Sequence, residues 1–157
     1  MKVEQYERLT KQAIALIESE KDLIANLANI SALLNMELEH VNWVGFYLLQ
    51  GEELVLGPFQ GKPACVRIPI GRGVCGVAVE QNQTQRVNNV HQFEGHIACD
   101  AESNSEIVIP FHIDGHLVGV LDIDSPLLSR FGEIDEQGLT FLMSEVEKLL
   151  NSHAISA

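Results

Sequence analysis

Between Gly95 and Ser125 the chain carries a cysteine in a polar loop and three carboxylates in segments patterned for β-structure. The order is GHIACD with Cys99, then AESN, SEIVIPF with Glu106, a short HIDGH, and LVGVLDIDS with Asp122 and Asp124. A thiol reacts as its thiolate. An unpaired carboxylate inside a sheet is costly to bury or takes up a proton. Acids where a sheet interior would take aliphatics therefore point to a ligand, and a cationic one, close to a thiol. Two further cysteines, Cys65 in GKPAC and Cys75 in GVCG, offer partners for thiol chemistry. The residues alone do not rank the three: Cys99 and Cys65 sit in loops, whereas Cys75 opens a helix, where the helix dipole favours a thiolate.

Alternate residues of a strand share a face. This places Val118, Val120, Asp122 and Asp124 on one side, and Gly119, Leu121 and Ile123 on the other. Glu106 and Val108 separate in the same way from Ile107, Ile109 and Phe111, and Asp-Gly in HIDGH is a hairpin signal. The three acids would then converge at one mouth of the sheet. Upstream, Leu9, Ala13, Leu16 and Ile17, then Leu23, Leu27, Ile30 and Leu34, recur at helical spacing and predict two helices. From His40 the pattern becomes a strand, with Trp43, Gly45, Tyr47 and Leu49 alternating with Val44, Phe46 and Leu48. Gly51 turns it into a hairpin partner over Glu53 to Leu56, GPFQGKPAC reads as loop, and Val66 to Ile70 as a short strand. GRGVCGVAVEQNQ is a glycine-rich entry to a short helix ending near Gln81, followed by a brief strand over Gln85 to Val90. Asn88 to Ser105 is a long polar loop of the kind that carries function. An amphipathic helix runs from about Asp135 to Asn151, with Leu142, Met143, Val146, Leu149 and Leu150 on its stripe. Helices at both ends around an antiparallel meander make an α+β fold.

The chain of 157 residues, 46% hydrophobic, suits one domain with a real core. Ten basic against 22 acidic residues give a net charge of -12, which argues against a nucleic-acid backbone or an anionic membrane as partner. MKVEQYERLTKQ lacks the apolar stretch of a signal peptide, and no run is long enough to span a bilayer, so a cytoplasmic protein with reduced cysteines is expected. No metal or cofactor is expected. His91 and His96 lie near Cys99, but the cysteines stand 10 and 24 residues apart with no short Cys-x-x-Cys pair, and these two histidines are not spaced as His-x-x-x-His.

NWVGFYLL, GPFQGKPAC, GRGVCG, HxFxGHIACDxxSxSEIVIP and GVLDIDSP together resemble the free methionine-(R)-sulfoxide reductases, a family built on the GAF fold. The motifs span about residues 43–136 and include all three cysteines. The resemblance implies a single GAF domain over residues 1–157, a GAF-like antiparallel β-sheet flanked by N- and C-terminal helices. It also implies reduction of free methionine-(R)-sulfoxide with thioredoxin as reductant, and a homodimer, which the apolar stripes of the terminal helices fit as well as they fit packing on the sheet. In such a reaction a thiolate attacks the sulfoxide sulfur, a sulfenic acid forms on the cysteine, and a second thiol condenses with it to a disulfide. By resemblance Cys99 is the nucleophile, Cys65 the main resolving cysteine and Cys75 an auxiliary thiol.

An acidic pocket activates Cys99 poorly, since neighbouring carboxylates disfavour a thiolate. The acids are therefore expected to act on the substrate. A sulfoxide oxygen must gain a proton to leave, so a carboxylic acid kept neutral by burial and like charges would donate it, while ionised ones hold the ammonium. The resemblance places Glu106, Asp122 and Asp124 in these roles: Asp122 and Asp124 mainly on the ammonium, Glu106 in binding or proton delivery. Trp43 and Tyr47 would wall the S-methyl group, and backbone amides near Gly95 would meet the carboxylate. Each residue also has a plainer reading. Cysteines serve as small core hydrophobes, Trp43 and Tyr47 as core aromatics, and Asp124 as a cap before Ser125 and Pro126. At the level of the whole chain the alternatives are a non-catalytic GAF sensor of a small ligand and a redox-sensing thiol protein.

Overall fold

The computed structural model describes residues 1–96 and 101–156, so Cys99 and its immediate neighbours lie outside the described residues. Two helices open the chain, α1 (Val3–Ile17) and α2 (Leu23–Glu37), the second capped by the Asp22 carboxylate, which accepts the Ala25 amide at 2.9 Å. A meander follows: β1 (Trp43–Gln50), β2 (Glu53–Gly61), β3 (Arg67–Pro69), the short helix α3 (Gly73–Gln81), β4 (Gln85–Val87), β5 (Ser105–Ile113) and β6 (His116–Ser125). Helix α4 (Glu133–Ser156) closes it, longer at both ends than its apolar stripe suggests. The six strands pair antiparallel in the order β3-β2-β1-β6-β5-β4. Asp114 and Gly115 both adopt positive φ in the β5–β6 turn, as the hairpin reading requires.

The expected alternation divides the sheet into two faces. Val44, Phe46, Ile107, Ile109, Phe111, Leu121 and Ile123 are buried together with the apolar stripes of α1, α2 and α4. Trp43, Tyr47, Val108 and Val120 face the opposite way, where α3 covers them with Val74, Cys75, Ala78 and Val79. The functional face is therefore the one that carries a single short helix.

Two expectations need correction. GPFQG is not loop but the second half of β2, since Phe59 to Gly61 continue to pair with β1. The register shift between Gly45 and Tyr47 sets Gly57 and Pro58 opposite Phe46, and a bulge is where a strand accommodates proline. The brief strand after α3 stops at Val87, because Val90–Gln92 turn into a 3₁₀ helix in which the Asn89 side chain accepts the His91 amide at 3.1 Å.

Gly138 lets α1 and α4 approach closely, since a Cβ there would overlap the Tyr6 ring. The Tyr6 hydroxyl in turn donates to Asp135 at 2.6 Å, and Arg130 reaches the same carboxylate at 3.3 Å. Gly138→Ala is expected to cost about 1–3 kcal/mol, as overpacking does. A urea melt measures it, with the sheet and its functional face retained.

Candidate active site

The register builds the site rung by rung. Trp43 on β1, Asp124 on β6 and Glu106 on β5 stand side by side, and one rung further come Gly45, Asp122 and Val108. Residues aligned across strands share a face, so a tryptophan and three carboxylates meet on two adjacent rungs. Gly45 is required here, because a Cβ would run into Phe59 and the Trp43 ring. Trp43 is stacked between Tyr47, with ring centres 5.9 Å apart, and Phe59, at 5.2 Å.

Helix α3 brings Cys75 down onto the acids. The Cys75 sulfur lies 4.0 Å from Oε2 of Glu106 and is also hydrogen-bonded to Asp122. Glu106 is 8% exposed, Asp122 5% and Cys75 4%, so none of them is washed by bulk water. Burial, reinforced by the charges of Asp122 and Asp124, pushes the Glu106 carboxyl well above its ordinary range. Burial raises Asp122 as well, although hydrogen bonds from Glu106, Cys75 and Asp124 hold part of that rise back. Burial and the three carboxylates push the Cys75 thiol up too. This overturns the expectation of a dipole-favoured thiolate at Cys75: burial, together with the carboxylates beneath the helix, outweighs its N-terminus.

Trp43, Tyr47, Cys75, Glu106, Asp122 and Asp124 all line one cavity. Cys65 is disulfide-bonded, and Cys75 is a free, buried thiol. The loop of Cys65 is tied to the aromatic wall. The Tyr47 hydroxyl donates to the Cys65 carbonyl at 2.9 Å, and the Trp43 indole donates to the Lys62 carbonyl at 3.1 Å. Cys99 lies outside the described residues, but its flanks border the same cavity, through His96 on one side and Ser103 on the other. Lys62 bonds Glu102 at 2.9 Å, Asn42 donates to Ser103 at 3.1 Å, and the Gly73 amide donates to the Gly95 carbonyl at 3.1 Å. Burial and the neighbouring His91 lower the basicity of His96.

Sequence reasoning missed the meeting of Cys75 with the acids, the role of Phe59 behind Trp43, and Arg72, an exposed residue that lines the cavity. Only GRGVCG hinted at the last of these. Its glycines signal a tight turn over the sheet, and without Gly76 the turn would collide with the Pro69 carbonyl.

A curved antiparallel sheet with one helical face and a pocket under a short helix on the other is the architecture of a GAF domain, and the family model of that description matches residues 22–150. The chain is 57% identical over 149 residues to the free methionine-R-sulfoxide reductase of Escherichia coli, covering 95% of this chain and 90% of that protein. Among solved structures, fRMsr of Staphylococcus aureus in complex with substrate superposes with a TM-score of 0.88 at 57% identity, over 92% of this chain and 95% of that one. The free methionine-R-sulfoxide reductase from Neisseria meningitidis, in complex with its substrate, gives a TM-score of 0.94 at 42% identity, over 100% of this chain and 95% of that one. The chain belongs to the free methionine-R-sulfoxide reductase family. Among the described residues no helix is long and apolar enough to cross a membrane.

Proposed function

We propose that this chain reduces free L-methionine (R)-S-oxide to L-methionine through Cys99, with Cys65 as resolving cysteine and thioredoxin as the dithiol that restores both. The observation that carries the reading is the group of buried Glu106 and Asp122 with half-buried Asp124, facing the Trp43–Tyr47 wall in one cavity. An amino acid with a polar sulfur has the features to match: an ammonium for the carboxylates, a methyl for the aromatic wall and a carboxylate for Arg72 at the rim.

The Cys99 thiolate attacks the sulfoxide sulfur, and the S–O bond breaks as its oxygen passes to the cysteine and is protonated. The substrate sulfur gains two electrons and Cys99 becomes a sulfenic acid. The Cys65 thiol then attacks that sulfenic sulfur, releasing water and leaving a disulfide, which a reduced dithiol protein opens by exchange. Glu106, held protonated by burial and by its acidic neighbours, is the group suited to deliver the proton. Asp122 and Asp124 hold the ammonium. The disulfide-bonded state of Cys65 and the free state of Cys75 support this division, and Cys75 is left as an auxiliary thiol.

The deciding assay is NADPH consumption with thioredoxin, thioredoxin reductase and each epimer of free methionine sulfoxide. The R epimer is consumed and the S epimer is not. Absence of turnover with folded, reduced protein would overturn the reading. Tyr47→Phe is a finer test, since it removes the bond to the Cys65 carbonyl and keeps the ring. One hydrogen bond is worth about 0.5–1.5 kcal/mol, so disulfide formation should slow about 2–10-fold while release of the first methionine is unchanged; stopped-flow and quenched-flow measurements separate the two. A cytoplasmic location and a homodimer are parts of the same proposal. Exposed Leu16 on α1 and Ile134 and Phe141 on α4 give the terminal helices an apolar surface for a second copy.

A further inference from the structure

The cavity that takes the substrate also holds a thiol that the proposed reduction leaves unused. One ligand atom each from Cys75, Glu106 and Asp122 lie within 4.8 Å of one another, with the Cys75 sulfur 4.0 Å from Glu106 Oε2. The three come from α3, β5 and β6, so the cluster is built by tertiary packing and not by one loop. A second observation marks it as a site for a cation: Asp122 Oδ1 is buried and has no hydrogen-bond partner among the described residues. An oxygen in that position, in a carboxylate 5% exposed, lacks the donor that burial demands. The cavity beside these atoms has a volume of about 40 Å³ for water-sized occupants, room for an ion and a water.

We propose that Cys75, Glu106 and Asp122 bind a thiophilic divalent cation of the zinc class. Tetrahedral zinc takes sulfur at about 2.3 Å and carboxylate oxygen at about 2.0–2.2 Å, which sets ligand atoms about 3–4 Å apart and asks only a small contraction here. One thiolate with two carboxylates prefers zinc or cadmium over magnesium or calcium. The metal–sulfur bond forms as the thiol proton leaves to solvent, the proton held by Glu106 leaves with it, and no electron moves. The fourth position opens to the cavity and water. A bound ion would occupy the ground assigned to the substrate ammonium and inhibit competitively. That consequence rests on the function proposed above, whereas the binding itself does not.

Cadmium alone is the probe, and the full-length Cys65→Ser/Cys99→Ser variant, in which Cys75 is the remaining thiol, is the protein. Titration is expected to raise an ultraviolet cadmium–thiolate band that saturates at one ion per chain, is not displaced by magnesium and disappears when Cys75→Ser is added. Adding Asp122→Asn or, separately, Glu106→Gln should weaken binding by at least the roughly 10–100-fold that loss of an outer-shell partner costs, with circular dichroism unchanged. No saturable band, or affinity in both acid variants unchanged from that of the Cys65→Ser/Cys99→Ser parent, would overturn the site. Saturable binding in the wild type without competition against methionine sulfoxide would leave the metal site standing and count against the placement of the substrate.

Discussion

Reduced Cys99→Ser protein mixed with free methionine-(R)-sulfoxide is expected to release no methionine, whereas Cys65→Ser releases one equivalent and then stalls. The asymmetry follows from the order of the proposed steps. Without Cys99 no sulfur attacks the sulfoxide, and removal of a nucleophile typically costs a factor of about 10,000 or more. Without Cys65 the first attack proceeds and the sulfenic acid waits for a thiol. Cys75 does not replace Cys65 efficiently, because burial and three carboxylates hold it as a thiol, and thiols exchange through their thiolates. Cys75→Ser should therefore keep multiple turnover close to wild type. Rapid quench with quantification of methionine, and mass spectrometry of the trapped sulfenic acid, read all three variants. Equal single-turnover yields from wild type and Cys99→Ser would refute the nucleophile. Steady-state recycling in Cys65→Ser at the wild-type rate would refute the resolving role.

The sheet was legible where its side chains alternate. NWVGFYLL and GVLDIDS each carry one apolar face that meets the helices and one mixed face, and the period of two put Trp43, Tyr47, Asp122 and Asp124 together before any register was known. Their exact rungs, Trp43 beside Asp124 beside Glu106, depend on hydrogen-bond pairing between strands that no single segment encodes. GPFQG misled because glycine and proline are strong local loop signals, while a bulge against Phe46 and the neighbouring strand let them stay extended. Cys75 misled for the same reason in another form. Its local setting is a helix N-terminus, but the groups that decide its charge come from β5 and β6, at least 31 residues away along the chain. Arg72 gave little signal beyond its GRGVCG setting, since an exposed arginine is the commonest kind and its place on the cavity comes from the way α3 sits on the sheet.

Glu106→Gln is expected to make the protein more stable at neutral pH and nearly inactive. Both effects trace to one proton. The carboxyl is buried beside Asp122 and Asp124, which raises its affinity for a proton well above the ordinary value of 4.5. The unfolded chain releases that proton near the ordinary value and the folded one keeps it to higher pH, so raising the pH through that interval favours unfolding. Stability from this group is thus fully present below the unfolded value, declines as the pH climbs toward the folded one, and then levels off. Asp122, raised for the same leading reason, slopes in the same direction. Each unit of difference between the two states amounts to about 1.4 kcal/mol, and each kcal/mol moves the melting temperature of a chain of this size by about 2–4 °C. Glutamine keeps the shape and drops the titration, so the fall in melting temperature with pH should flatten from pH 5 upward. Methionine formation should drop about 100- to 10,000-fold, the usual worth of a positioned acid. Calorimetry between pH 4 and 9 and a quenched-flow assay check the pair. A variant whose melting temperature tracks wild type across that range would show that Glu106 is not the strained carboxyl, and one that keeps full activity would remove it from proton delivery.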